Sequence, residues 1–337
     1  MTNFFTYFRS HLKSRIRPII YILVTALVVT LLIGVQNQPT TGYDSQMNQS
    51  CQDYKSTLNT SVVFMCILTY VLPVMEFSFF KKRINLDCVY SLPISRVAMG
   101  TVHYLTGLFI LFGTFTASYL LNFALLLSRG EGWFDFAPMI VHYLLCLLLG
   151  FAMYSIMVFV FNEANTKGDG IWFIVLYTFV FLLTVCAICM LITVRMKING
   201  INLIPWGIIV NLTNHYEYLV EIDRASKATF WQNPANVIIF VFFVLLGIAS
   251  AVGFFLTFGK RRMEKTEEIS NSYFGFRTLI PLYAVSGMIY FNASDIVICW
   301  VIIELIAIIG YTIYRRGFRY KKSDIITLCA LLLFLFI

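Results

Sequence analysis

Six stretches of this chain are apolar for close to the thickness of a lipid bilayer, and that limits its fold more than any motif does. They are Pro18–Val35, Ser61–Phe80, Tyr104–Leu127, Pro138–Phe161, Ile171–Val194 and Val237–Phe258. A helix needs roughly 20 mostly apolar residues to cross the hydrocarbon. Helices suit that medium because each backbone N–H and C=O must be satisfied within the protein. Asp295–Tyr314 is a seventh clear run. Leu279–Phe291 and Ile325–Ile337 offer 13 residues each, or about 20 Å of helix against a core of roughly 30 Å. Phe276–Ile280 and Asn292 can complete the first. The second is a half-span, or a helix that continues in a longer product. Only 12% of the residues are charged, too few to cover a water-facing surface, where roughly 25% is usual. The expectation is an all-α polytopic membrane protein of the cell membrane.

The formal net charge of +8 does not point to nucleic acid. The basic residues gather at the ends of apolar runs, where they set topology and meet lipid headgroups. With the N-terminus inside, 19 of the 25 Lys and Arg residues fall in inner segments. The reverse orientation breaks the positive-inside bias almost everywhere. A multi-pass protein with a cytoplasmic N-terminus is therefore expected.

Within Thr2–Arg17, Phe5, Phe8, Leu12 and Ile16 recur at helical spacing, while Arg9, Lys13 and Arg17 fall elsewhere. This predicts a short amphipathic helix lying on the membrane and leading into Pro18. On the outer side, Met196–Asn236 is too apolar for a free loop and too interrupted to span. Re-entrant or interfacial helices fit it, with Trp206 and Trp231 at headgroup depth.

Catalytic patterns are missing. The sequence has no H-E-x-x-H and no phosphate-binding G-x-x-x-x-G-K-[ST]. It also has no G-x-S-x-G elbow. Its histidines are His11, His103, His142 and His215, and no two share one helix at metal-binding spacing. No catalytic residue, resident cofactor or metal is expected. The eight cysteines form no framework; six lie within apolar runs and read as small packing residues. The first residues show no short apolar core before a small-residue cleavage site, so no removable signal peptide is expected.

Charge inside a span is the usual functional lead. Glu304 lies midway along Asp295–Tyr314. It either lines a polar path or is protonated and hydrogen-bonded to a neighbouring helix. Glu76 stands near the inner end of its run and is expected to pair with Lys81–Arg83 or with the amphipathic helix, in an architectural role. His142 and Asn122 lie near run ends and are expected at the interface.

The segment "FFKKRINLDCVYSLPISRVAMG" joins the second and third runs. Ile84, Cys88, Val89 and Leu92 can line one side of a two-turn helix. Pro93 then bars an easy continuation, and Ser95 is placed to cap the next helix, which enters the membrane near Val97. The order "E…F…KKR.NLD…SLPISR" resembles the loop between the second and third helices of ABC-2 type transporter permeases, especially those of Gram-positive bacteria. The amphipathic start, the long semi-apolar outer segment and "RRMEKTEE" (Arg261–Glu268) resemble the same group.

That resemblance implies a six-helix, type V exporter-like transmembrane core with two or three additional C-terminal membrane helices. The implied organisation is an interfacial helix over 1–17 and a core over 18–260. The core carries a cytoplasmic coupling loop at 81–100 and an outer re-entrant segment at 196–236. A cytoplasmic connector over 261–276 leads to extra membrane helices over 277–337. It further implies that Arg83, Ile84, Leu86, Asp87, Val89, Leu92, Pro93, Ile94 and Arg96 contact a separate ATP-binding subunit, which holds the ATP and Mg. A second permease copy, or a related permease, would complete the path, with substrate contacts mainly from the second and fifth spans. The C-terminal region Arg277–Ile337 departs from the minimal six-span pattern. The expected function is export of an apolar or amphipathic substrate such as a peptide, drug or lipid. A different class also fits these residues: a non-transporting receptor or immunity protein that senses or sequesters an antimicrobial peptide through Met196–Asn236. The missing catalytic sets disfavour an intramembrane enzyme.

Overall fold

A computed structural model describes residues 2–36, 40–44, 49–53, 57–82, 94–128, 136–192, 209, 212–213, 231, 234–260, 266–268, 272–292, 297–315, 317–318 and 320–333. The described residues are almost all helical. In chain order the helices are α1 (Thr2–Ser14), α2 (Ile16–Gln36), α3 (Thr57–Phe77), α4 (Arg96–Ser128) and α5 (Phe136–Glu163). They continue with α6 (Lys167–Ile192), α7 (Pro234–Phe258), α8 (Phe276–Asn292), α9 (Val297–Arg315) and α10 (Lys322–Leu333). Two short antiparallel strands, β1 (Thr40–Asp44) and β2 (Gln49–Asp53), pair between α2 and α3 with Gly42 opposite Cys51. A 3₁₀ turn, Ser78–Lys81, extends α3.

Among the described residues, five helical segments are long and apolar enough to cross a membrane: Ile16–Val35, Thr60–Lys81, Arg96–Leu125, Met139–Glu163 and Asn236–Phe258. This is the architecture of a polytopic membrane protein. The expected run Ile171–Val194 lies on the 26-residue α6 as far as Ile192. At 33 residues α4 is the longest helix among the described residues, about 50 Å, so it outruns the hydrocarbon. Its start matches the sequence expectation: Ser95 Oγ accepts the Ala98 N–H at 3.2 Å, the N-cap bond that satisfies an orphan donor. The semi-apolar segment is described at Ile209, Leu212, Thr213 and Trp231. Ile209, Leu212 and Thr213 are fully buried, and the Thr213 hydroxyl donates to Ile209 O at 2.8 Å, as in a helical turn.

The chain divides into two units. The first holds Met1–Glu76, Tyr90–Val158 and Pro205–Lys260. Its core is built by close helix approach. Gly247 on α7 meets α5 so tightly that a Cβ there would lie 2.4 Å from Ala152 Cα. Small residues serve this role where lipid gives no hydrophobic push between helices. Gly107 on α4 makes room for the Tyr154 ring, whose hydroxyl would sit 2.0 Å from a Cβ at 107. Tyr104 packs on Tyr154 and Phe254, with centroids 5.5 and 5.6 Å apart. Cys66 and Cys146 are free and buried, as packing residues should be.

The second unit holds Phe77–Val89, Phe159–Ile204 and Arg261–Ile337. It groups α6 with the C-terminal helices: α8 packs against α6, α9 and α10. Thr166 starts α6, its hydroxyl accepting the Asp169 N–H at 3.0 Å. Arg315 at the end of α9 forms a two-point pair with Asp324, Nε to Oδ2 at 2.8 Å and Nη2 to Oδ1 at 3.0 Å. Asp324 also accepts the Lys321 N–H at 3.1 Å and so caps α10. The Asp324 carboxylate holds the Arg315 guanidinium above its usual value.

Candidate functional site

The helix expected over the first residues is present as α1, and its apolar stripe divides. Phe5 is 69% exposed and Ile16 46% exposed. Those two residues of the expected stripe point away from the protein. The half-buried residues are Phe4, Tyr7, Phe8, His11, Leu12 and Arg15, spaced i, i+3, i+4, i+7 along one side. A polar line of Tyr7, His11 and Arg15 therefore runs along the protein-facing side, and α1 packs on α4 and α2.

That polar line meets Glu76. The Glu76 side chain is 1% exposed and comes from the last turn of α3. Its Oε2 is approached from two sides, by His11 Nε2 at 3.0 Å and by His103 Nδ1 of α4 at 3.3 Å. The two imidazoles lie against each other with centroids 4.0 Å apart. Tyr7 Oη lies 3.4 Å from the other nitrogen of His103. Arg15 Nε stands 3.5 Å from Glu76 Oε1, which accepts no hydrogen bond among the described residues. Arg15 Nη2 also donates to Met75 O at 3.3 Å. Burial first, and then the Glu76 carboxylate, push the Tyr7 phenol above its usual value.

A buried carboxylate is costly unless paired and hydrogen-bonded. Here a cation and two imidazoles compensate it, and the bonds join α1, α3 and α4. His11, Glu76 and His103 each offer one ligand atom, all within 4.8 Å of one another, in a set that could hold a metal ion. Of the two partners expected for Glu76, it takes the amphipathic helix. One-helix spacing could not find this cluster, because its three residues come from three helices.

Lys81 has a different task. It is 2% exposed, and its Nζ donates to Phe161 O at 2.9 Å and Asn162 O at 3.1 Å, and also to Ala164 O. An ammonium thus closes the C-terminal end of α5, where carbonyls lack helical partners and the helix dipole favours positive charge.

The remaining expected residues separate. Arg83, Ile84, Leu86, Asp87, Val89, Leu92 and Pro93 lie outside the described residues. Ile94 is half-buried and Arg96 exposed, just before and at the start of α4. Glu304 is 8% exposed, and its Oε2 has no hydrogen-bond partner among the described residues. His142 and Asn122 are fully buried. His142 lies 3.0 Å from Tyr119 Oη and 3.1 Å from Thr213 Oγ1, and Asn122 Nδ2 donates to Ser61 at 2.5 Å. In the second unit, α6, α8 and α9 enclose a half-open, largely apolar cavity of about 620 Å³, with Asp169, Trp172, Tyr283 and Tyr314 in its wall.

No protein-family model matches the chain, and no curated protein matches it.

Proposed function

We propose that the chain is the transmembrane subunit of an ATP-binding cassette exporter of the ABC-2 permease type. It lies in the cell membrane with a cytoplasmic N-terminus and moves an apolar or amphipathic substrate. A separate ATP-binding subunit binds the segment Arg83–Arg96, and a second permease copy or a related permease completes the path.

One arrangement carries this reading. Glu76 and His103 sit at the two roots of the proposed coupling loop, five residues before Lys81 and seven after Arg96. Their contact at 3.3 Å ties α3 to α4, and His11 and Arg15 add α1 to the same knot. A push on the loop is then delivered to three helices together instead of being lost in one flexible connection. Transmission of this kind needs packed elements with discrete arrangements. Ser95, capping α4 two residues after Pro93, gives the loop a defined exit.

Purification in mild detergent from the native membrane, with mass spectrometry of co-eluting chains, tests the proposal. The expected outcome is a stoichiometric ATP-binding subunit that is lost when Leu92→Asp and Ile94→Asp are combined. A chain that elutes alone, or a partner that survives the double substitution, refutes the assignment of the loop.

A further inference from the structure

We propose that His11, Glu76 and His103 bind a divalent transition-metal ion of the Zn²⁺ class, which fastens α1 to α3 and α4. The inference stands whether or not the chain is a permease subunit, because it rests on the cluster alone.

The donor set is the one such ions prefer: two imidazole nitrogens and one carboxylate oxygen. In tetrahedral sites with bonds of 2.0–2.1 Å, neighbouring donors stand roughly 3.3 Å apart. Two edges of the triangle are already near that length, at 3.0 and 3.3 Å, and both converge on Glu76 Oε2. The third, between the two imidazoles, lies within 4.8 Å. Rotation of His11, which rides on a half-buried helix, can adjust that edge.

The groups around the donors fit as well. His103 offers Nδ1 to the site, while its Nε2 lies 3.4 Å from the Tyr7 hydroxyl. A partner on the second ring nitrogen fixes the orientation of a metal-bound imidazole. Arg15 approaches the other carboxylate oxygen at 3.5 Å, which leaves Oε2 for the ion. Three protein ligands leave a fourth position for water or another small ligand, as in open zinc sites. Glu76 and His103 are almost fully buried, with side chains 1% and 5% exposed. His11 alone is carried by a surface element, so the ion would act as a removable pin for α1.

The full-length protein, purified in detergent and stripped with chelator, is titrated with Zn²⁺ and, separately, with Co²⁺ as a spectroscopic probe. One equivalent per chain is expected, with the visible ligand-field band of four-coordinate Co²⁺. His11→Ala should weaken binding by more than about 100-fold, since loss of even a supporting group costs 10–100-fold. Tyr7→Phe should cost about that smaller amount. His142→Ala, at a separate buried site, should bind like the parent. The variant His11→Cys should restore the equivalent and add the thiolate-to-Co²⁺ charge-transfer band. Direct ligation produces that band and a structural effect does not. Absence of stoichiometric binding overturns the proposal, as does binding indifferent to His11→Ala. If His11→Ala fails to fold, His11→Cys decides alone: the charge-transfer band supports the site, and its absence refutes it.

Discussion

Lys81 shows how little of a residue's task its charge reveals. In the sequence it reads as one of three basic residues that mark the end of a span. In the structure it is buried and donates to carbonyls at the end of α5. Replacing it with methionine keeps much of the stem and removes the donors. Lys81→Met is therefore expected to lower stability by roughly 1–3 kcal/mol, the cost of leaving a buried polar group unpaired. The thermal unfolding midpoint of the detergent-solubilised protein measures this; an unchanged midpoint would mean the ammonium is replaceable. Glu76 was more legible. A lone acid at the inner end of a run needs a partner, and the amphipathic helix was one of two candidates. The identity of that partner was not legible, since His11 and His103 lie 65 and 27 positions away in the chain. No local period links residues that far apart.

At the scale of elements, what could be read depended on which force decides. Long apolar runs became helices because the bilayer leaves the backbone little alternative. Ser95 was readable as a cap because Pro93 ends one segment and a short hydroxyl follows two places later. The orientation of α1 was not readable. In the sequence Phe5, Phe8, Leu12 and Ile16 form one stripe for the membrane, whereas in the structure Phe5 and Ile16 are exposed and Phe8 and Leu12 are half-buried. The junction of α9 and α10 offers a test at this scale. Asp324 both pairs with Arg315 and caps α10, so Asp324→Ala removes a two-point ion pair and a cap together. Hydrogen exchange in α10 is expected to speed up, with α9 changed little before its last turn. Equal protection in both proteins would show that packing against α8 and α9 holds α10 by itself.

For the whole molecule, the placement of Lys and Arg gives a topology that labelling can check. Single cysteines replacing Lys13 and Lys322, in a background where the accessible native cysteines are removed, are expected to react with a membrane-impermeant maleimide only from the cytoplasmic side. A cysteine replacing Lys55 should react only from outside. Labelling of position 322 from outside would mean that α8, at 17 residues, does not cross. Chain order gives α1 one more property. It precedes α2, α3 and α4 in the chain, yet its seat is assembled from Glu76 and His103, which are made much later. Until α4 has been inserted, His11 and Arg15 meet only Glu76 and Met75 of α3, and Tyr7 lacks His103. The seat of α1 is thus completed only when α4 is in place, and a chain interrupted before position 103 lacks the His103 side of the knot.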